Sequence, residues 1–197
     1  ADNPRLVMLR ISGYGQTGPY RDLPGFAVVA EAMGGMRHLM GEPGRAPVRA
    51  GVSLGDTLAA LHGVIGVLLA LQARQRTGRG QVVDVALYEA VFNCMESLLP
   101  EYSAFGAVRE PAGAALPGIA PSNVYQCADG RVVIGGNGDS IFKRLMALIG
   151  RADLADDPAL GNNAGRVQQV DRIDAAITAW TLPRPVAEVV AGLQAAS

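Results

Sequence analysis

The feature that most limits how this chain can fold is a long apolar stretch that opens at Gly55-Asp56 and closes at Arg76-Thr77-Gly78. Ala59, Gly63, Gly66, Ala70 and Ala73 recur every three or four positions, which on a helix stacks them into one smooth ridge. Leu58, Leu61, Ile65, Leu68, Leu69 and Leu71 cover the rest, so the pattern describes a core helix packed on most sides. A glycine inside a helix costs roughly 1 kcal/mol relative to alanine. Gly63 and Gly66 therefore imply a close neighbour, and packing is the simpler reason. Arg74 and Arg76 suit the negative end of the helix, and Gly78 its stop. The run over residues 58–71 is interrupted by His62 and falls short of the roughly 18–20 residues of a membrane span, so no membrane partner is expected.

Around this helix the pattern alternates. Residues 6–12 and 81–87 read as strands of a covered sheet, and residues 26–36 and 89–99 as helices, the succession of a parallel α/β sheet. Residues 1–101 are read as one domain. Residues 102–121 are dense in Ala, Gly and Pro and read as a linker. Residues 122–197 read as a smaller α+β domain: strands near Val124 and Arg131 joined by Ala128-Asp129-Gly130, then helices from Ser140, Asn163 and Pro185. The strand-like start and the helical pattern at the end suggest a chain cut at both termini.

Charge narrows the function classes. The 17 basic residues are balanced by 18 acidic ones, and although all but Lys143 are arginine they form no stripe of the kind a duplex requires, so no nucleic-acid partner is expected. Cys94 and Cys127 lie far apart without CxxC spacing or a histidine cluster, which points away from zinc and from a disulfide framework. No signal peptide is recognisable, and a reducing cytoplasm is the expected location.

From spacing alone, Asp56 is an N-cap, because a carboxylate in the first turn meets free N–H groups and the positive helix end. A resemblance changes that reading. The run VRAGVSLGDTLAALHGVIGVLLALQARQRTGRGQVVDVALYEA resembles the signature of class III CoA-transferases, which include formyl-CoA and carnitine CoA-transferases. NPRLVMLRISGYGQTGPYRDLPGF upstream and PSNVYQCADGRVVIGGNGD downstream are similar to further family segments in the same order. The resemblance implies that the chain is the middle half of a full-length member, with a Rossmann-like large domain only partly present beside a smaller α+β domain. It implies that Asp56 is the nucleophile, with a coenzyme A thioester as substrate rather than any cofactor, and a small carboxylic acid as acceptor. A carboxylate in that role attacks a thioester without a separate base. The chemistry calls for a pocket closed to water.

The same resemblance implies that Ser12, Gly13, Tyr14 and Gly15 contact coenzyme A, with Tyr14 against pantetheine or adenine; a plain strand-to-loop turn accounts for the same residues. It matches Leu116-Pro117-Gly118-Ile119-Ala120 to a mobile glycine lid, where an ordinary linker serves equally. Most phosphate-binding basic groups of the family lie upstream, so this segment alone is expected to bind CoA poorly or not at all. The resemblance also implies that the full-length protein is an interlocked homodimer. Gly135-Gly136-Asn137-Gly138 lacks the remainder of any phosphate-loop motif and reads as a tight turn. His62 reads as a hydrogen-bonded core or rim histidine, and His38, Arg37, Arg45 and Arg49 as solvated surface, although the arginines could pair with the second carboxylate of a dicarboxylic acid. The rivals are an α-methylacyl-CoA racemase and a noncatalytic acyl-CoA-binding or assembly protein. At the position of the racemase Gly-His-Asp run the chain has Gly25-Phe26-Ala27, and phenylalanine carries no proton.

Overall fold

The computed structural model describes residues 3–196, in two compact units, Ala1–Gly113 and Ala114–Ser197. Ala1 and Ser197, on which the two readings of the chain ends partly rest, lie outside the described residues.

In the first unit, β1 (Met8–Ser12) pairs in parallel with β2 (Val82–Ala86), Met8 opposite Val82 and Ser12 opposite Ala86. The crossover between them contains α1 (Ala27–Met33), α2 (Met36–Leu39) and the 24-residue α3 (Leu54–Thr77). The ridge of small residues does what the sequence implied. A Cβ on Gly63 would stand 2.9 Å from Leu9 Cδ2, and one on Gly66 2.6 Å from Val83 Cγ1, so α3 lies directly on the sheet through side chains of both strands. Gly55, Ala59, Gly63 and Ala70 are its buried residues. Gly78 ends the helix in the left-handed conformation, φ 70°, its N–H bonded to Arg74.

The opposite side of α3 corrects the expectation of a helix packed on most sides. Leu61, Val64, Ile65, Leu68 and Leu69 are each more than half exposed. No described element covers them, and by length and composition the helix could cross a membrane, beyond what the 58–71 run suggested. The residues expected to form one helix over 89–99 form two. α4 (Leu87–Phe92) and α5 (Leu98–Phe105) are separated by turns in which Glu96 adopts φ 51°. α5 enters the stretch read as a linker. Beyond it Arg109 pairs with Glu96 and Glu101, and Gly113 N–H donates to Gly41, so the first half of that stretch is built into the first unit.

In the second unit β3 (Ser122–Gln126) and β4 (Arg131–Gly135) form the antiparallel hairpin expected around Ala128-Asp129-Gly130. Val132 and Ile134 point into the core while Val133 faces solvent. The turn also serves the last helix: Asp129 accepts the N–H of Val186, the first residue of α10 (Val186–Ala195). Between them run α6 (Asp139–Leu148), α7 (Ala152–Ala155), a 3-10 turn (Pro158–Leu160), α8 (Asn163–Gln168) and α9 (Val170–Thr181). The centre of this unit holds Arg166, fully buried. It donates from Nε to Ala120 O (3.0 Å), from Nη1 to Leu160 O (3.1 Å), and from Nη2 to Asn137 O (2.6 Å) and Asp139 (2.8 Å). Its guanidinium also lies 5.0 Å from the Phe142 ring centre. The glycine run 135–138 is a tight strand-to-helix turn, with Gly136 against Leu145 and Gly138 at the start of α6, as the sequence suggested.

Candidate active site

Ser53, not Asp56, occupies the N-cap of α3, and Asp56 is the third helical residue. The nearby amides are already engaged: Leu54 N–H donates to Val52, Gly55 N–H to Glu31, and Thr57 N–H to Ser53. Among the described residues the Asp56 carboxylate has no hydrogen-bond or ion-pair partner, which removes the capping explanation read from its spacing. Its neighbour Gly55 is buried against α1, where a Cβ would lie 3.1 Å from Ala27 Cα and O. The glycine of the Gly-Asp pair is thus required by packing, and α1 closes one side of the first turn.

The other side is open. Asp56 is exposed, so the described residues of the first unit do not by themselves shelter it from water. Clefts of about 290, 310 and 200 Å³ in this unit are lined by other residues, around His62 and Asp84, around Phe92 and Leu99, and around His38 and Tyr102. Arg49 is the basic group that the structure ties to this helix end, its Nη2 donating to Ser53 Oγ at 3.4 Å.

The loop after β1 is held chiefly by its own contacts. A Cβ on Gly13 would stand 2.7 Å from Gly25 Cα, so this glycine too answers to packing. Ser12 Oγ accepts from Gln16 Nε2 at 3.1 Å, Gln16 N–H donates to Asp84 at 2.8 Å, and Gly15, φ 82°, is buried beside Asp84. Tyr14 is half-buried, edge-on to Tyr20 with ring centres 5.5 Å apart and tilted against Tyr88 at 5.9 Å. Gly118 belongs to the second unit. Leu116-Pro117-Gly118-Ile119 is a turn closed by Ile119 N–H to Leu116 O, with Gly118 at φ 79°, the signature of a type II turn. The side-chain amide of Asn163 straps it, donating to Gly118 O (2.8 Å) and accepting from Ala120 N–H (3.1 Å).

His62 is the half-buried, fully hydrogen-bonded histidine that was expected. Nδ1 faces Leu58 O at 2.7 Å, and a carbonyl only accepts, so Nδ1 carries the proton and Nε2 accepts from Asn93 at 2.9 Å. His38 is exposed and faces Glu110 at 3.3 Å. Arg37 is not solvated surface: its side chain is 19% exposed and pairs with Glu31, which is wholly buried. Glu31 escaped the sequence reading. The available signal was an acid inside an apolar helix with an arginine six residues on, across Gly34-Gly35. Phe26, where the racemase places its histidine, is 73% exposed at the N-cap of α1.

The model of CoA-transferase family III matches residues 1–197, the whole chain. The chain belongs to CoA-transferase family III. Among curated family III relatives it is 51% identical, over 91% of its length, to a succinyl-CoA–D-citramalate CoA-transferase of Chloroflexus aurantiacus. It is 44% identical, over 95% of its length, to the beta subunit of a succinyl-CoA–L-malate CoA-transferase of the same organism. The chain covers 45% and 47% of these relatives, about half their length. A crystal structure of a CAIB/BAIF family protein from Brucella suis shares the fold with a TM-score of 0.79 at 33% identity, over 98% of this chain and 51% of that one. The family fold is therefore a mixed α/β one with a small parallel sheet and many helices.

Proposed function

We propose that the chain is the nucleophile-bearing part of a CoA-transferase that moves CoA from an acyl-CoA donor to a free carboxylic acid, with Asp56 as the covalent carrier. The observation that carries this reading is a carboxylate on the first turn of α3 with no partner among the described residues, in a chain matched over its whole length by the family model. An Asp56 oxygen attacks the donor thioester; the new C–O bond forms as the C–S bond breaks, giving a mixed anhydride and CoA thiolate. The thiolate attacks the aspartyl carbonyl, releasing the donor acid and leaving an aspartyl-CoA thioester. The acceptor carboxylate displaces CoA from it, and the thiolate then takes the acceptor acyl group and frees Asp56. No resident cofactor or metal enters these steps. The large domain is of Rossmann type in this reading, and Ser12, Gly13, Tyr14 and Gly15 lie along the CoA path.

Each tetrahedral intermediate needs oxyanion donors in a dry site. Since the first unit leaves Asp56 open, the cover comes from outside it, with an interlocked dimer in the cytoplasm as the working form. The acceptor is a small dicarboxylic acid: relatives are named for succinyl-CoA with malate or citramalate, and Arg49 stands at the same helix end as Asp56. A racemase is not favoured, since Phe26 holds no proton, and a merely noncatalytic protein would have no use for Asp56. The test is CoA exchange by the complete protein from succinyl-CoA to malate, citramalate and other free acids. Asp56→Ala abolishes exchange, and hydroxylamine converts Asp56 of the working wild-type enzyme to a hydroxamate seen by mass spectrometry. Undiminished exchange in Asp56→Ala refutes the assignment.

A further inference from the structure

We propose that Glu31, held by Arg37, is a positioning residue for Asp56; the inference rests on Asp56 being the acyl-carrying carboxylate. Glu31 lies in α1 beside the buried Ala27 and Ala30 of the same helix and is wholly buried. An uncompensated carboxylate there is strongly unfavourable, and an apolar side chain of similar volume would stabilise the core as well as an ion pair or better. What an apolar side chain cannot do is accept a hydrogen bond. The two oxygens of Glu31 divide that work: Oε2 takes Arg37 Nη2, and Oε1 takes the N–H of Gly55 at 3.4 Å.

Gly55 immediately precedes Asp56, and α1 grips it at two points one turn apart. Ala27 packs against the glycine from below the van der Waals distance a Cβ would need, and Glu31, four residues on and on the same helix face, holds its amide. Arg37 reaches back because the chain bends at Gly34-Gly35, where a Cβ on Gly34 would stand 2.6 Å from Val91 Cγ1 of α4. The guanidinium neutralises the buried acid, so the clamp adds no net negative charge beside the nucleophile. Fixing the Gly55 amide fixes the first turn of α3 and thus the line along which Asp56 leaves the backbone. Displacement of a reacting group by about 1 Å can cost on the order of 10²-fold in rate.

The experiment uses the complete protein, succinyl-CoA and a free dicarboxylic acid, with kcat, KM for the acyl-CoA, the rate of hydroxamate formation on Asp56 and thermal unfolding measured for each variant. Glu31→Ala lowers kcat and the hydroxamate rate together, by about 30-fold, with KM within about threefold of wild type. Glu31→Gln alone stays impaired, because its single amide oxygen is drawn to Arg37 and turns its NH2 toward Gly55. Adding Arg37→Met leaves that oxygen only the Gly55 N–H, and the double variant recovers kcat to within about fivefold of wild type. If Glu31→Ala fails to fold, the comparison of single and double Gln variants decides. A folded Glu31→Ala with kcat within about twofold of wild type, or a double variant no better than Glu31→Gln, overturns the proposal. A wild-type enzyme without exchange, or an Asp56→Asn variant that keeps it, overturns the transferase reading instead.

Discussion

Replacing Arg166 by Met, which fills similar volume without charge, should cost the second unit about 3 kcal/mol. The figure comes from the four hydrogen bonds of the guanidinium. Those to Ala120 O and Leu160 O are buried, and each carbonyl stripped of its donor there costs about 1–3 kcal/mol. Those to Asn137 O and Asp139 are only part-buried, and water can replace them at little cost. Against the loss stands the relief of no longer burying a guanidinium, which brings the total to the middle of the range. The chain has one tryptophan, Trp180, packed at the edge of the second unit's core with Arg184 over its ring, so its fluorescence reports this unit alone. In urea the Trp180 transition of Arg166→Met shifts to lower concentration at unchanged slope. Arg166→Lys recovers less than half of the loss, since one ammonium cannot span three carbonyls from separate loops. A Met variant within about 1 kcal/mol of wild type would refute the claim that these carbonyls depend on Arg166.

Gly66→Ala tests the contact between α3 and the sheet. Alanine gains roughly 1 kcal/mol in helix propensity, but its Cβ would meet Val83 Cγ1 at 2.6 Å. Net destabilisation by about 1–2 kcal/mol in thermal unfolding is expected, and stabilisation would show that the ridge is not in close contact. Tyr125 donates to Asp174 at 2.6 Å, and burial, then the bond to and charge of Asp174, push its phenol well above the ordinary tyrosine range. The folded state keeps this proton where the unfolded chain loses it, so the contribution is complete below about pH 10 and falls as pH rises further. Tyr125→Phe should cost about 1 kcal/mol at neutral pH and flatten the alkaline loss of stability read from Trp180; an unchanged alkaline slope would count against it.

The parts legible in the sequence were those governed by local repetition. The three-to-four spacing of Ala59, Gly63, Gly66 and Ala70 located α3 and its inner face, and Asp129-Gly130 located the hairpin. Periodicity says which residues share a face and not whether anything covers it, so the exposure of Leu61, Ile65 and Leu69 was out of reach. The break between α4 and α5 was hidden because Asn93, Cys94 and Glu96 do not interrupt an apolar pattern. The role proposed for Asp56 rests on the family resemblance, and its exposed surroundings were not legible in the sequence. Glu31 and Arg166 escaped because the groups that justify burying them are backbone amides and carbonyls, which every residue carries and no side-chain pattern marks.

The strap over the Leu116–Ile119 turn depends on a distinction of one atom. Asn163 spends its NH2 on Gly118 O and its carbonyl on Ala120 N–H, so the turn is gripped by a donor and an acceptor of a single planar group. Aspartate, equal in size and shape, has only acceptors at neutral pH and would face the Gly118 oxygen with like charge. The side-chain grip of α8 on this turn is therefore written in a nitrogen-for-oxygen distinction at one position.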